Sequence, residues 1–107
     1  MKKKIKKVKI KETDILRQCL DYLLYIGIYC WRSNNLAAPN RKFTGLLGVA
    51  DILGILPSGR FLAVECKTES GKLSEHQELF RDNIRKNNGY YVVARSSNDL
   101  SFLLGEL

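Results

Sequence analysis

Val49-Ala50-Asp51-Ile52-Leu53-Gly54-Ile55-Leu56, then Pro57-Ser58-Gly59, then Arg60-Phe61-Leu62-Ala63-Val64-Glu65-Cys66-Lys67 is the stretch that decides the fold. Two apolar runs flank a turn tripeptide, and each carries hydrophobic residues on both pleat faces, which predicts two strands of a sheet covered on both sides. Three ionisable residues interrupt them: Asp51 in the first run, Glu65 and Lys67 in the second. Charges are rarely buried unless they are paired or bound to a metal. Alternation puts Glu65 and Lys67 on one face of their strand, with Val64 and Cys66 on the other. The turn then decides where Asp51 goes. Leu56-Pro57-Ser58-Gly59 suits a type I turn with proline at its second position, and Gly59 in the left-handed conformation completes a three-residue hairpin loop. Such a loop sets Leu56 opposite Arg60 and, along the same ladder, Asp51 opposite Glu65. A two-residue Ser58-Gly59 loop would instead shift the register by one and send Asp51 to the other face.

Directly opposed residues share a sheet face with Cβ atoms about 4.5–5.5 Å apart, and like charges there are destabilising. Two carboxylates so placed call for a cation between them. Oxygen ligands without a histidine nearby favour a hard ion, Mg²⁺ or Mn²⁺, over zinc. The competing structural account makes Asp51 and Lys67 solvated strand-end residues and Glu65 a partner of Lys67 alone.

Outward from this hairpin the remaining elements follow from periodicity. From Glu12 to about Ile26, Leu16, Cys19, Leu20 and Leu23 recur at helical spacing, with Thr13 or Asp14 able to cap the start. Ile28 to Arg32 predicts a short strand, and Ser33 to Gly48 a long loop. Ser74 opens a helix to about Asn88 through an S-x-x-Q capping box closed by Gln77, with Gly89 just past its end. Tyr90 to Arg95 predicts another strand, and Ser97 to Leu104 a short last helix. The expectation is an α/β fold in the order α-β-β-β-α-β-α, with a mixed sheet of about four strands and helices on both faces.

The 107 residues make one domain's worth of chain, divided as a lysine-rich arm, 1–11, and a single domain, 12–107. Seven of the 18 basic residues lie in the arm, leaving eleven basic against eleven acidic from Glu12 onward. The net charge of +7 therefore belongs to the arm. Such an arm can hold phosphate backbones through counterion release, or it can be a solvated tail, and Ile5, Val8 and Ile10 also allow it to pack as a strand or extend the first helix. Cys19, Cys30 and Cys66 form no C-x-x-C pair and are expected reduced, in or near the core. No apolar run reaches the ~18–20 residues of a membrane span, and no secretory signal is present, so a cytoplasmic setting is expected.

Gly48-Val49-Ala50-Asp51-Ile52-Leu53-Gly54, Gly59-Arg60-Phe61, Val64-Glu65-Cys66-Lys67, Gly71-Lys72-Leu73-Ser74 and Gln77 together resemble the VRR-NUC family of the PD-(D/E)XK nuclease superfamily, over about Glu12 to Arg95. Ala50 stands where the first motif has proline, a residue that offers neither ligand nor proton. The resemblance implies a restriction-endonuclease-like core and Mg²⁺-dependent hydrolysis of DNA phosphodiesters, with Mn²⁺ able to substitute. It implies that Asp51, Glu65 and the main-chain carbonyl of Cys66 hold the metal, and that Lys67 orients or helps deprotonate the attacking water and steadies phosphate charge. Two neighbouring carboxylates favour the ammonium form of Lys67, which suits positioning better than general-base work. Glu12 is a further candidate ligand from the first helix, and an ordinary first-turn glutamate explains it equally. Gln77 is expected near the lysine and metal, although capping alone explains it too. His76 is expected at the surface. Lys72, Arg41 and Lys42 are candidate DNA contacts. The family also implies branched DNA, four-way junctions first, a homodimer, and partners in viral or phage replication, recombination or repair. The rival reading is a non-catalytic nucleic-acid-binding module, or a nuclease subunit that needs a larger complex.

Overall fold

The computed structural model describes residues 9–33 and 45–107. Helix α1 (Glu12–Tyr25) leads into strand β1 (Tyr29–Arg32), followed by β2 (Ile52–Ile55), β3 (Phe61–Cys66), helix α2 (Glu75–Lys86), β4 (Tyr90–Ala94) and a terminal 3-10 helix (Ser97–Glu106). The order is the expected one, with the last helix wound more tightly than an α-helix. The strands form one mixed sheet in the order β1-β2-β3-β4: β1 and β2 are antiparallel, as are β2 and β3, and β3 and β4 are parallel. Helix α2 supplies the crossover that a parallel pair requires.

The hairpin between β2 and β3 carries the register that the turn chemistry predicts. Gly59 has φ +89° and donates its N–H to the Leu56 carbonyl at 2.8 Å, while Leu56 N–H donates to the Arg60 carbonyl at 2.9 Å. Ile55 pairs with Phe61 and Ile52 with Val64, so the next position along the ladder sets Asp51 against Glu65. The strand predicted over Val49–Leu56 is shorter at its start, because β2 begins only at Ile52. Its cause lies in a side chain. Ala50 would be the next ladder partner of Cys66, but the Cys66 N–H goes to Asp51 Oδ2 at 2.8 Å instead.

Strand β3 is buried almost along its length, because helices cover both faces of the sheet. Leu62, Val64 and Cys66 pack with Ile52 against Leu16, Cys19 and Leu23 of α1 and against Leu100 and Leu103 of the terminal helix. Ala63 packs on the opposite face with Ala50, Phe80 of α2 and Tyr91 of β4. Burying each of the leucine, isoleucine and valine side chains contributes roughly 1.5–3 kcal/mol. Edge strand β1 leaves Tyr29 and Trp31 exposed.

The start of α1 and the end of α2 refine the sequence reading, while α2 opens at Ser74 as expected. Lys11, not Thr13 or Asp14, is the N-cap of α1; Asp14 sits three residues inside and accepts the Lys11 N–H at 3.2 Å. At the end of α2, Asn88 takes the left-handed conformation with φ 64°, and Gly89 N–H reaches back to the Ile84 carbonyl at 2.9 Å. That is the Schellman arrangement, one residue earlier than a glycine cap would place it. All three cysteines are free; Cys19 and Cys66 are buried and Cys30 is partly so. The Cys66 thiol is pushed up by its contact with Cys19 and by burial. Among the described residues, no helix is long and apolar enough to cross a membrane. The arm's residues 1–8, and with them the packing alternatives for Ile5 and Val8, lie outside the described residues, as does most of the Ser33–Gly48 loop.

Candidate active site

Glu65 is the one buried charged residue among those described, 4% exposed. It reaches that position because β3 is central and its odd-numbered side chains face α2. Gln77, on the first turn of α2, donates from Nε2 to Glu65 Oε1 at 3.0 Å. The same side chain closes the capping box, since Gln77 Oε1 accepts from Ser74 N–H at 2.9 Å and Ser74 Oγ accepts from Gln77 N–H at 3.2 Å. The capping and site roles of Gln77 therefore coexist. The other carboxylate oxygen, Glu65 Oε2, is buried with no hydrogen-bond partner.

Such an atom is costly unless a proton or a cation meets it. Without a cation, the proton wins. Burial first, and then the charge of Asp51, push the Glu65 carboxyl up to about 8, with Lys67 pulling the other way. Lys67 Nζ lies 3.8 Å from Glu12 Oε1 and 3.9 Å from Glu65 Oε1, so the first residue of α1 and the centre of β3 share one cation.

Glu12, Asp51, Glu65, Cys66, Lys67 and Gln77 line a single cavity of about 340 Å³, together with Thr13, Leu16 and Arg32. In an extended strand the N–H and C=O of one residue point to the same edge. With its N–H on Asp51, Cys66 thus turns its carbonyl towards the edge that Asp51 occupies. Among the described residues no three His, Cys, Asp or Glu side chains converge on one point. A cation here would accordingly draw on the main chain as well as on Asp51 and Glu65. Those donors are all oxygens, and the orphaned Oε2 sits among them; the residues fit a hard divalent ion.

Lys72 is exposed in the β3–α2 loop and does not line the cavity, and His76 is exposed and outside it as well. Arg41 and Lys42 lie outside the described residues. Two residues escaped the sequence reading. Arg32, at the end of β1, lines the cavity wall, because β1 pairs with β2 and sets Arg32 opposite Ile52, beside Asp51. A long loop separates those strands in sequence, so no turn chemistry signals their register. Arg95 holds the loop that follows Lys67: its Nη1 donates to the carbonyls of Thr68, Glu69 and Gly71. Gly71 in turn packs against the stem of Lys67, where an added Cβ would stand 3.3 Å from Lys67 Cβ.

The chain thus carries an α/β core with two opposed acidic residues and a lysine on its central hairpin, and its family match makes it a nuclease-type domain. Residues 30–98 match the VRR-NUC domain family, more than half of the chain, and the protein belongs to that family. A solved structure described as a VRR-NUC domain is similar in fold, with a TM-score of 0.63 and 24% identity, covering 88% of this chain and 94% of its own. No curated protein matches the chain.

Proposed function

We propose that this chain is a Mg²⁺-dependent DNA endonuclease, with Mn²⁺ able to substitute, and that it hydrolyses phosphodiester bonds in branched DNA such as four-way junctions during replication, recombination or repair. The observation that carries the reading is the cavity in which Asp51, Glu65 and Lys67 meet, with one oxygen of Glu65 buried and unpartnered. Asp51, Glu65 and the Cys66 carbonyl are the groups that would hold Mg²⁺, which when bound neutralises phosphate charge and activates water for attack, while Glu12 pairs with Lys67. Lys67, held between Glu12 and Glu65, presents its ammonium to the phosphoryl oxygens, where negative charge grows during hydrolysis. Gln77 fixes the rotation of the Glu65 carboxylate by holding Oε1. Lys72, Arg41 and Lys42 are proposed contacts to flanking phosphates, and pairing of two chains would give so small a domain reach over two strands.

The test is cleavage of labelled four-way-junction and linear duplex DNA in Mg²⁺, Mn²⁺ or EDTA, comparing the native chain with folded Lys67→Ala and Glu65→Gln. Cutting that needs the metal and is lost by at least a hundredfold in both variants supports the reading. Tight binding with no cutting of either DNA under any metal contradicts it and favours a binding module.

A further inference from the structure

A second cavity adjoins the candidate one. A neighbouring hollow of about 470 Å³ is lined by Thr13, Asp14, Leu16, Arg17, Leu20, Asp21 and Arg32, and three of these, Thr13, Leu16 and Arg32, also line the first. Side by side, the two span the surface from Gln77 past Lys67 to the flank of α1, and we read them as one groove. Its apolar floor is Leu16 and Leu20, and its rim carries two arginines, Arg32 from β1 and Arg17 from α1.

The charges in the groove are not equivalent. Lys67 is held by the protein itself, 3.8 Å from Glu12 and 3.9 Å from Glu65. Arg32 is exposed and, among the described residues, makes no ion pair within 4.0 Å and no side-chain hydrogen bond, although it stands on the wall of a cavity that holds three carboxylates. Arg17 is likewise exposed and unpaired among the described residues, even though Asp14 and Asp21 share its hollow. A planar guanidinium that binds no protein carboxylate has its donor fork available for a phosphate.

Building on the nuclease reading, we propose that this groove is the path of the cleaved DNA strand, with Arg32 binding the phosphate next to the one cut and Arg17 the phosphate beyond it. The strand's sugars pass over Leu16 and Leu20, and the direction of the groove carries the strand along α1 rather than over α2. Arg32 is thus a substrate-positioning residue that acts on affinity, whereas Asp51, Glu65 and Lys67 act on the reacting phosphate.

The experiment measures DNA affinity by fluorescence anisotropy in EDTA across a salt series, and KM and kcat in Mg²⁺, for the native chain, Arg32→Ala, Arg32→Lys and, as a control on the far end of α2, Lys86→Ala. Arg32→Ala is expected to weaken binding about tenfold and to reduce the slope of log affinity against log salt by about 0.9, the value of one phosphate contact on duplex DNA. KM should rise by a similar factor while kcat stays within about twofold. Arg32→Lys should restore the slope, since it keeps the charge, and Lys86→Ala should match the native chain. Unchanged affinity and slope in Arg32→Ala, or a fall in kcat with KM unmoved, overturns the proposal. A native chain that binds DNA without cutting it overturns the nuclease reading alone, because the salt slopes still decide whether Arg32 holds a phosphate.

Discussion

Glu65 is a carboxylate built into a place where a carboxylate is unwelcome. Its ordinary value of 4.5 moves to about 8 through burial and the nearby Asp51. In the metal-free chain the folded state therefore keeps a proton that the unfolded state has released. The stability this provides is fully present below about 4.5 and is lost as pH rises through about 8. The metal-free melting temperature of the native chain should accordingly fall, relative to that of Glu65→Gln, between pH 5 and pH 9 on the order set by that shift. Melting curves of the two proteins in EDTA check this, and parallel pH profiles would contradict it. Gly48 supplies the strictest steric demand nearby. With φ +79°, its added Cβ would collide with the His76 carbonyl and stand 2.8 Å from Gln77 N. Gly48→Ala should cost about 2–4 kcal/mol, measured by denaturant unfolding, since it combines a left-handed side-chain penalty with overpacking against the start of α2.

At the scale of elements, the hairpin register was legible because a short turn leaves few choices: Pro57 and Gly59 select the loop, and the loop sets Asp51 against Glu65. The late start of β2 was not legible, because it depends on whether the Asp51 side chain or the Ala50 backbone wins the Cys66 N–H. Gln77 posed a similar problem, since capping and site roles draw on one amide and only its two ends in space show that both are filled. Those roles can be separated. Gln77→Glu keeps an S-x-x-E capping box but replaces the donor to Glu65 with another carboxylate. It should leave the helicity of α2 intact by circular dichroism and lower cleavage at least tenfold. A variant that cuts like the native chain would show that Gln77 serves the helix alone.

At the scale of the molecule, the class of fold was legible because a sheet covered on both faces leaves a distinctive run of apolar residues, and β3 with its two helix layers fulfils it. Contacts between distant segments were not: Arg95 on the Thr68–Gly71 loop, and Arg32 beside Asp51, follow from tertiary closure rather than from any local pattern. The charge of the chain is divided sharply between a neutral domain and its lysine arm. Removing residues 1–8 takes away five lysines. If the arm holds phosphates, truncation should weaken DNA binding and flatten its salt dependence, while cleavage at saturating DNA persists. Unchanged binding would make the arm a solvated tail.

The claim on which the rest depends is that Asp51 and Glu65 face one another in order to hold a divalent cation. Anomalous diffraction from crystals grown with Mn²⁺ tests it most directly. A single anomalous peak about 2.0–2.3 Å from Glu65 Oε2 and from an Asp51 carboxylate oxygen, with the Cys66 carbonyl completing the protein ligands, is the expected result. Saturating Mn²⁺ that leaves no peak between these carboxylates, with Glu65 Oε2 still unpartnered, would contradict it.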